Sequence, residues 1–355
     1  MDDDRNTLPV VGLTLGDPAG VGPEIVARTL VDPGLRGDVR CVAVGDAAAL
    51  RRGAGVCGLG LTVRVIDSRE VSPDPDPTVV DILDTATVTD EEITEAMPWG
   101  RVGVAAGAAA LAAIELAVRA AESGLVDAIA TAPINKESIW AAGAGQLGHT
   151  ELLGELTGAA HPDTMFVVGG LKIFFTTRHV SLRKALDLLT AERVDAAIEA
   201  AYRALRVFGD DEAPVLAVAA VNPHGGEGGA FGDEETAVLG PAVERARARG
   251  LDVVGPIPAD AVFHQGLRGR YAGVLSHFHD QGHIAAKTFD FDGTVSVTVG
   301  LPILRTSVDH GTAFDIAGTG AAEYASMREA VRTAVRYVPV RARVRAAWAH
   351  APGGL

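Results

Sequence analysis

The alternation of short apolar runs with helical patterns is the feature that most narrows the folds open to this chain of 355 residues. In the first half, apolar runs of strand length are each followed by a segment of helical character: Val10 to Leu15 then Pro23 to Leu30, Val39 to Val44 then Ala47 to Arg52, and Val126 to Thr131 then Lys136 to Ala142. Such alternation is typical of βαβ units, in which helices join parallel strands. The pattern predicts an α/β protein with a parallel sheet.

The second half repeats this rhythm and adds one exception. Its elements are predicted at Val215 to Ala220, Glu234 to Arg249, Val253 to Ile257, Tyr271 to Leu275 and Val295 to Val299. The exception is the pair of β-prone runs on either side of Gly169-Gly170, which predicts a β-hairpin over residues 164–176. Because 355 residues exceed the size at which one hydrophobic core usually stops growing, we expect two α/β lobes.

The charge balance limits the partners of this chain. It has 31 Lys and Arg against 46 Asp and Glu, a formal net charge of -15. Such a surface repels nucleic acid and anionic membranes over most of its area. A small anionic substrate therefore needs a local basic pocket, and Lys136, Lys287 and Arg305 supply positive charge near predicted strand-end loops.

Three further patterns indicate a cytoplasmic protein. Residues Met1 to Asn6 are acidic and lack the features of a signal peptide. Cys41 and Cys57 form neither a metal motif nor a disulfide framework, so both are expected to be reduced. The stretch Val102 to Val118 is mostly Ala and contains Glu115, which favours a buried helix over a membrane span.

Histidines gather in the predicted strand-end loops. The block His277-Phe278-His279-Asp280-Gln281-Gly282-His283 follows the apolar run Tyr271 to Leu275, and the carboxyl ends of strands are where open α/β proteins bind ligands. His179 and His224 lie in two other loops of this kind. Three imidazoles so placed favour a shared divalent metal, although a single loop histidine is more often an ordinary hydrogen-bonding residue.

Glycine-rich segments are candidates for anion binding. Gly143 to Gly148 matches G-x-G-x-x-G, but a helical stretch precedes it where a dinucleotide fingerprint requires a strand, so we interpret it as a turn. Gly16 to Glu24 joins a strand to a helix and is equally consistent with an anion cradle and a tight structural turn. At Gly148 to Glu151 the alternatives are an anion site and a helix N-cap at Thr150.

Taken together, these blocks resemble the 4-hydroxythreonine-4-phosphate dehydrogenase family from end to end. The shared blocks, in the family's order, are Gly16 to Glu24, Gly148 to Glu151, Asn222 to His224, Gly255 to Asp260, His279 to Gly282, Gly300 to Pro302 and Gly311 to Ala313. The resemblance implies a fold like isocitrate and isopropylmalate dehydrogenases, with two α/β/α lobes and the active site in the cleft. The first lobe would comprise residues 1–125 and 300–355. The second, residues 126–299, would carry most site residues and the interface of a homodimer with shared active sites.

The resemblance also assigns residues to functions. It implies that His179, His224 and His279 bind a divalent metal, with zinc the best-known ion and Mg, Co or Mn as others. It implies that His149, Thr150, Lys287, Ser296 and Arg305 bind substrate, and that NAD or NADP is the cofactor, bound by residues that the sequence does not identify. Lys287 and Asp280 are the candidates for taking the alcohol proton.

Several residues depart from the family's pattern. Ser296 stands where the family has Asn, and Ser has neither the reach nor the amide donor of Asn. Phe278 replaces a Tyr, and His277 and His283 are additional imidazoles. We interpret these departures as signs of an unusual substrate.

The expected reaction is oxidation of a secondary alcohol by NAD(P) followed by decarboxylation. Candidate substrates are 4-phosphohydroxy-L-threonine, whose oxidation belongs to vitamin B6 biosynthesis, and D-threonate or D-erythronate 4-phosphate. The alternatives are a cis-dihydrodiol carboxylate dehydrogenase of aromatic degradation, a metal hydrolase that uses the same histidines to activate water, and a non-catalytic binding protein.

Overall fold

A computed structural model describes residues 8–69, 74–146, 148–209, 211 and 213–349. The chain forms two compact units, the first containing residues up to Pro162 and from Gly300 onward, the second containing Asp163–Val299. The first unit begins with β1 Val10–Thr14, α1 Gly22–Leu30, β2 Arg40–Gly45, α2 Ala47–Val56, β3 Thr62–Val65, β4 Val79–Asp84, α3 Ile93–Ala96, α4 Val104–Glu122, β5 Ala128–Thr131, α5 Lys136–Ala141 and α6 His149–Thr157.

The second unit follows, and the chain then returns to the first. The second unit contains β6 Asp163–Val168, β7 Leu171–Phe175, α7 Leu182–Asp187, α8 Ala191–Phe208, β8 Leu216–Ala219, α9 Gly240–Ala248, β9 Val253–Ile257, α10 Ala259–Leu267, β10 Gly273–Ser276, α11 His279–Phe289 and β11 Val295–Val299. The returning segment adds β12 Arg305–Ser307, α12 Ala325–Tyr337 and α13 Arg341–Trp348.

The sheet of the first unit is parallel, as the sequence pattern predicts. Its strands run in the order β3-β4-β2-β1-β5-β12, and each neighbouring pair is parallel. The strands are rich in Val, Ile and Ala, and β1 is buried along its whole length, as expected for strands covered on both faces. Parallel order brings the carboxyl ends of β1, β5 and β12 to one edge.

The first unit includes residues that the predicted lobe boundary assigned to the second. The expected boundaries lie after residue 125 and at residue 300, and the observed units divide after Pro162 and at Gly300. The reason is strand pairing, because β5 lies between β1 and β12 and hydrogen-bonds to both. The helices after β5 follow it, since α5 and α6 both pack on α4.

The helix α4 is the alanine-rich element that the sequence predicts to be buried. Among the described helices it alone is long and apolar enough to cross a membrane, and 56% of its 18-residue apolar window lies inside the protein. Ala106, Ala110 and Ala113 are buried, and α4 packs on β1 and β2. Small side chains on the inner face allow this close packing of helix on sheet.

The second unit is built on a mixed sheet, with strand order β11-β6-β7-β10-β8-β9. The hairpin predicted around Gly169-Gly170 is confirmed, because β6 and β7 pair antiparallel across this turn. The pairs β7-β10, β10-β8 and β8-β9 are parallel. Its core includes Phe166, Ile173, Phe175 and Val274. The carboxyl ends of β7, β10 and β8 thus lie along one edge of this sheet.

Candidate functional site

A row of hydroxyl groups lies at the carboxyl edge of the first unit's sheet. Thr14, Thr131 and Ser307 end β1, β5 and β12, and the strand register places them side by side. All three are buried, and the Thr131 hydroxyl donates to Ser307 Oγ over 3.0 Å. The carboxyl edge of a parallel sheet is the usual ligand-binding edge of α/β folds, so this row is a candidate site.

Arg305 faces the same row from β12. Residues two apart on a strand share a face, so Arg305 lies on the side of Ser307. Its Nε and Nη2 donate to Thr131 Oγ1 over 3.1 and 2.6 Å, and the residue is only 3% exposed. Burial lowers the pKa of the Arg305 guanidinium to about 9, so it remains cationic at neutral pH. The edge of the sheet therefore holds a fixed positive charge.

His149 is electrostatically coupled to this arginine. Burial first, and then the positive charge of Arg305, lower the pKa of His149 well below its usual 6.5. The imidazole is therefore neutral at physiological pH. Its Nε2 atom is buried and has no hydrogen-bond partner among the described residues. A buried imidazole nitrogen without a partner is costly, and a bound ligand would remove that cost.

The helix start at His149 differs from one of the two sequence interpretations. The α6 helix has Gly148 as its N-cap, without a capping side chain, and Thr150 is the second helical residue. The interpretation of Thr150 as the N-cap is therefore wrong. Thr150 is half-buried, and its backbone lies in the first helical turn, where N–H groups point out of the helix.

The segment Gly16 to Glu24 is a structural turn. The amide groups of Asp17, Gly20 and Val21 donate to carbonyl oxygens within the unit, and the Ala19 amide donates to Asp17 Oδ1 over 2.8 Å. These donors are used internally, which removes the basis for an anion cradle. The Glu24 carboxylate accepts bonds from the amides of Gly318 and Gly320 at 2.6 and 2.9 Å, which ties this segment to the loop before α12.

In the second unit, α11 begins at His279, and two of the predicted metal ligands approach each other there. The ring centroids of His179 and His279 are 6.1 Å apart. The Nδ1 atom of His279 lies 2.6 Å from Asp280 Oδ1, which leaves Nε2 as the nitrogen free of that contact. Asp280 is exposed, so this carboxylate orients the imidazole from the solvent side.

The third predicted ligand, His224, is in a different setting. It lies in the glycine-rich segment Pro223–Gly229, has a positive φ of 55°, and its ring is 6.5 Å from that of Phe231. Among the described residues no three His, Cys, Asp or Glu side chains are grouped so that they could hold a metal ion. The set His179, His224 and His279 therefore stays a prediction, and we assign no reaction step to a metal.

His277 is a core residue, contrary to its interpretation as a sign of the substrate. It is 2% exposed, with Nδ1 3.0 Å from Thr176 Oγ1 and Nε2 2.7 Å from the carbonyl oxygen of Ala219. Because a carbonyl only accepts, Nε2 carries the proton and Nδ1 accepts from Thr176. Burial lowers the pKa of His277 to about 4, so the ring is neutral. It ties together the carboxyl ends of β7, β8 and β10.

Lys287 and Ser296 also belong to the second unit. Lys287 is half-buried on α11, with Nζ 5.1 Å from the ring centroid of Phe291. Ser296 is 8% exposed on β11, directly opposite Phe166 in the antiparallel pair β6-β11. Their predicted contacts with substrate stay predictions.

Comparison with known proteins decides the family. A sequence profile described as "Pyridoxal phosphate biosynthetic protein PdxA" matches residues 38–334, which is well over half of the chain. This chain belongs to the PdxA family. The resemblance found from the sequence blocks is therefore confirmed.

Relatives of this PdxA-family chain are named as dehydrogenases. A Cutibacterium acnes protein provisionally named D-threonate 4-phosphate dehydrogenase is 54% identical over 335 residues, covering 94% of this chain and 95% of its own length. The crystal structure of a Klebsiella pneumoniae 4-hydroxythreonine-4-phosphate dehydrogenase has 40% identity and a TM-score of 0.83, covering 94% of this chain and 99% of its own. The structure of a terephthalate 1,2-cis-dihydrodiol dehydrogenase from Burkholderia xenovorans LB400 has 32% identity and a TM-score of 0.61, covering 93% and 98%.

These findings bear on the predicted activity of the PdxA-family chain. It is an oxidoreductase acting on a CH–OH group, as the sequence predicts, and the hydrolase and binding-protein alternatives have no support. Within the first unit, Arg305 bonds to Thr131, and its charge acts on His149. Within the second, the structure brings His279 together with His179 and Asp280.

Sequence reasoning missed Thr131, which accepts two hydrogen bonds from Arg305. The available signal was its position as the last residue of the predicted strand Val126 to Thr131. A polar residue that ends a buried apolar run lies at the ligand-binding edge of a parallel sheet. Its partnership with Arg305 has no sequence signal, because the two residues are 174 positions apart.

Proposed function

We propose that this chain uses NAD or NADP to oxidise the secondary alcohol of a 4-phosphorylated four-carbon hydroxy acid, with D-threonate 4-phosphate as the leading substrate. D-erythronate 4-phosphate and 4-phosphohydroxy-L-threonine are the next candidates. The observation that carries the proposal is the buried Arg305 guanidinium, whose charge helps lower the pKa of His149, a residue whose Nε2 has no hydrogen-bond partner among the described residues. The relative with 54% identity and the D-threonate 4-phosphate name supports the choice of substrate.

Arg305 is suited to an anionic group of the substrate. A guanidinium offers a planar fork that matches the oxygens of a carboxylate or phosphate, and its low exposure strengthens that pairing. The Thr131 hydroxyl fixes the fork before substrate arrives, so little conformational entropy is lost on binding. The neutral His149 adds a hydrogen-bonding nitrogen without competing positive charge. The amides of the first α6 turn, including that of Thr150, complete an anion-binding group.

The proposed chemistry has two steps. The C–H bond of the alcohol carbon breaks and its hydride reduces NAD(P)+, while the hydroxyl proton leaves to a base, for which we propose Lys287. Oxidation at the carbon β to the carboxylate gives a β-keto acid. That acid loses carbon dioxide and takes up a proton, which yields a three-carbon keto-sugar phosphate. Asp280 would act by orienting His279, since its carboxylate lies 2.6 Å from that ring.

The divalent metal stays a separate prediction. The resemblance favours zinc, with Mg, Co and Mn as other candidates, and His179, His224 and His279 as ligands. The close approach of His179 and His279 supports part of that set. Elemental analysis of the purified protein, with and without substitution of His279 by Gln, measures the bound metal directly.

A cis-dihydrodiol carboxylate is the second candidate substrate. The structural similarity to a terephthalate cis-dihydrodiol dehydrogenase, at 32% identity, favours its inclusion in the test. Such a substrate also carries a carboxylate for Arg305 but has no phosphate. It ranks second because the relative named for threonate phosphate is much more similar, at 54% identity.

The deciding experiment is a substrate panel followed by absorbance of reduced nicotinamide. The panel contains the three phosphorylated acids and one dihydrodiol carboxylate, each with NAD and with NADP, in the presence of divalent metal. We expect the highest kcat/KM with D-threonate 4-phosphate, together with release of carbon dioxide equal to the nicotinamide reduced. A preference for the dihydrodiol would transfer the proposal to the second candidate, and no turnover of any member would refute both.

A further inference from the structure

An aromatic cluster surrounds His279 in the second unit. The ring of His283 stacks on that of His279, with centroids 3.5 Å apart and planes inclined by only 15°. The ring of His283 also meets Phe166, with centroids 4.3 Å apart, and Phe175, with centroids 5.0 Å apart. His283 is 9% exposed, so its ring is enclosed between these partners. Residues four apart on a helix share a face, and this spacing brings the two imidazoles of α11 together.

Hydrogen bonds fix the orientation of both rings. The Nδ1 atom of His283 lies 2.8 Å from the carbonyl oxygen of His279, and because a carbonyl only accepts, this nitrogen carries a proton. His279 is held in its own plane by the 2.6 Å contact between its Nδ1 and Asp280 Oδ1. The stack restrains the tilt of the His279 ring, and the carboxylate restrains its rotation, so the two contacts together fix the position of Nε2. Neither restraint alone would fix both angles.

We propose that His283 is a positioning residue for His279. It acts through its ring face and not by contact with substrate, and its own ring packs against the aromatic pair Phe166–Phe175, whose centroids are 5.4 Å apart. A leucine at this position would fill similar space but would leave the His279 ring free to tilt. The inference rests on the proposed function only in assuming that His279 acts in turnover. The orientation itself is measurable without turnover.

The test compares His283→Leu, which removes the ring, with His283→Phe, which keeps an aromatic face but loses the Nδ1 donor. The control is His264→Leu, since His264 is an exposed histidine on α10 of the same unit. Imidazole signals of the full-length protein are recorded by NMR with labelled histidine, and His279 is assigned by its loss in His279→Gln. Kinetics use the best substrate of the panel.

In the wild type and in His283→Phe we expect one upfield-shifted His279 ring signal, because a stacked ring shields its neighbour. In His283→Leu we expect that shift to disappear and kcat to fall about 10-fold with KM little changed, since a misplaced group costs rate more than affinity. The control should match wild type.

A wild-type His279 signal in His283→Leu would overturn the proposal, whether or not the enzyme turns over any substrate. Wild-type kcat in an active His283→Leu enzyme would overturn it too. Should His283→Leu fail to fold, His283→Phe provides the test by itself. Loss of the upfield-shifted His279 signal in that variant would overturn the proposal.

Discussion

Arg305 is the single residue on which the proposed anion site depends most. Lysine at this position would keep the charge but lose the fork that meets Thr131 and the substrate oxygens. We expect Arg305→Lys to lower kcat/KM about 10- to 100-fold, the usual cost of one or two charge-assisted hydrogen bonds. Steady-state kinetics measure the loss. The control is Arg332→Lys, at an exposed arginine paired with Glu329, and equal kcat/KM in both variants would exclude Arg305 from the site.

His277 predicts a pH dependence of stability. Its pKa is about 4 in the folded protein and 6.5 in the unfolded chain, so the unfolded chain binds more protons between these pH values. The contribution to the free energy of unfolding is complete above about pH 6.5 and is lost as the pH falls toward 4, by about 3 kcal/mol at most. His149, whose pKa is also lowered, acts in the same direction.

Urea unfolding between pH 7.5 and 4.5 measures this loss. His277→Phe removes the titrating group, and we expect a flatter dependence on pH together with lower stability at pH 7.5, because Thr176 and the Ala219 carbonyl lose their partner. Parallel pH profiles for the wild type and the variant would show that His277 is not the group responsible. Phe is chosen because it retains the volume of the ring.

At the scale of elements, the turn between β1 and α1 is expected to serve structure and not ligand binding. Gly16 has a φ of 67°, and a Cβ there would lie 2.3 Å from the carbonyl oxygen of Pro133. Gly58 has a similar φ of 69° with nothing within 4 Å of its Cβ position, which makes it a matched control. We expect Gly58→Ala to cost about 1 kcal/mol for the left-handed conformation and Gly16→Ala clearly more. Thermal and urea unfolding test this, and equal losses would contradict it.

Some elements have the bounds that the sequence pattern predicts, and others do not. The predicted strand Val253 to Ile257 and the predicted strand Val295 to Val299 have the observed bounds, because each is a short β-prone run with a clear end. The predicted helix over 234–249 is interrupted, since Glu235–Leu239 forms a π-helical turn before α9. There the Glu235 carboxylate accepts the amides of Val221 and Asn222, a tertiary contact with no local signal.

For the whole molecule, the homodimer implied by the resemblance stays a prediction that the second unit makes testable. Ile284, Phe289 and Phe291, on α11 and just after it, are 62%, 55% and 64% exposed. Large exposed apolar side chains close together often mark a protein interface. We expect Ile284→Lys to shift the protein toward monomer and to lower activity, as measured by sedimentation and kinetics. Val65→Lys, at an equally exposed apolar residue on β3, is the control, and an unchanged dimer in Ile284→Lys would place the interface elsewhere.

The sequence by itself determined the α/β class, the hairpin at Gly169-Gly170 and the family, because these depend on local periodicity, turn residues and short ordered blocks. Only the tertiary structure decided that β5 belongs to the first unit, that Thr131 holds Arg305, and that His277 is a core residue while His283 stacks on His279. These outcomes depend on strand order and on burial. Both are set by partners far along the chain. Two histidines of one short motif can therefore have different roles, one as a core residue and the other as part of a site.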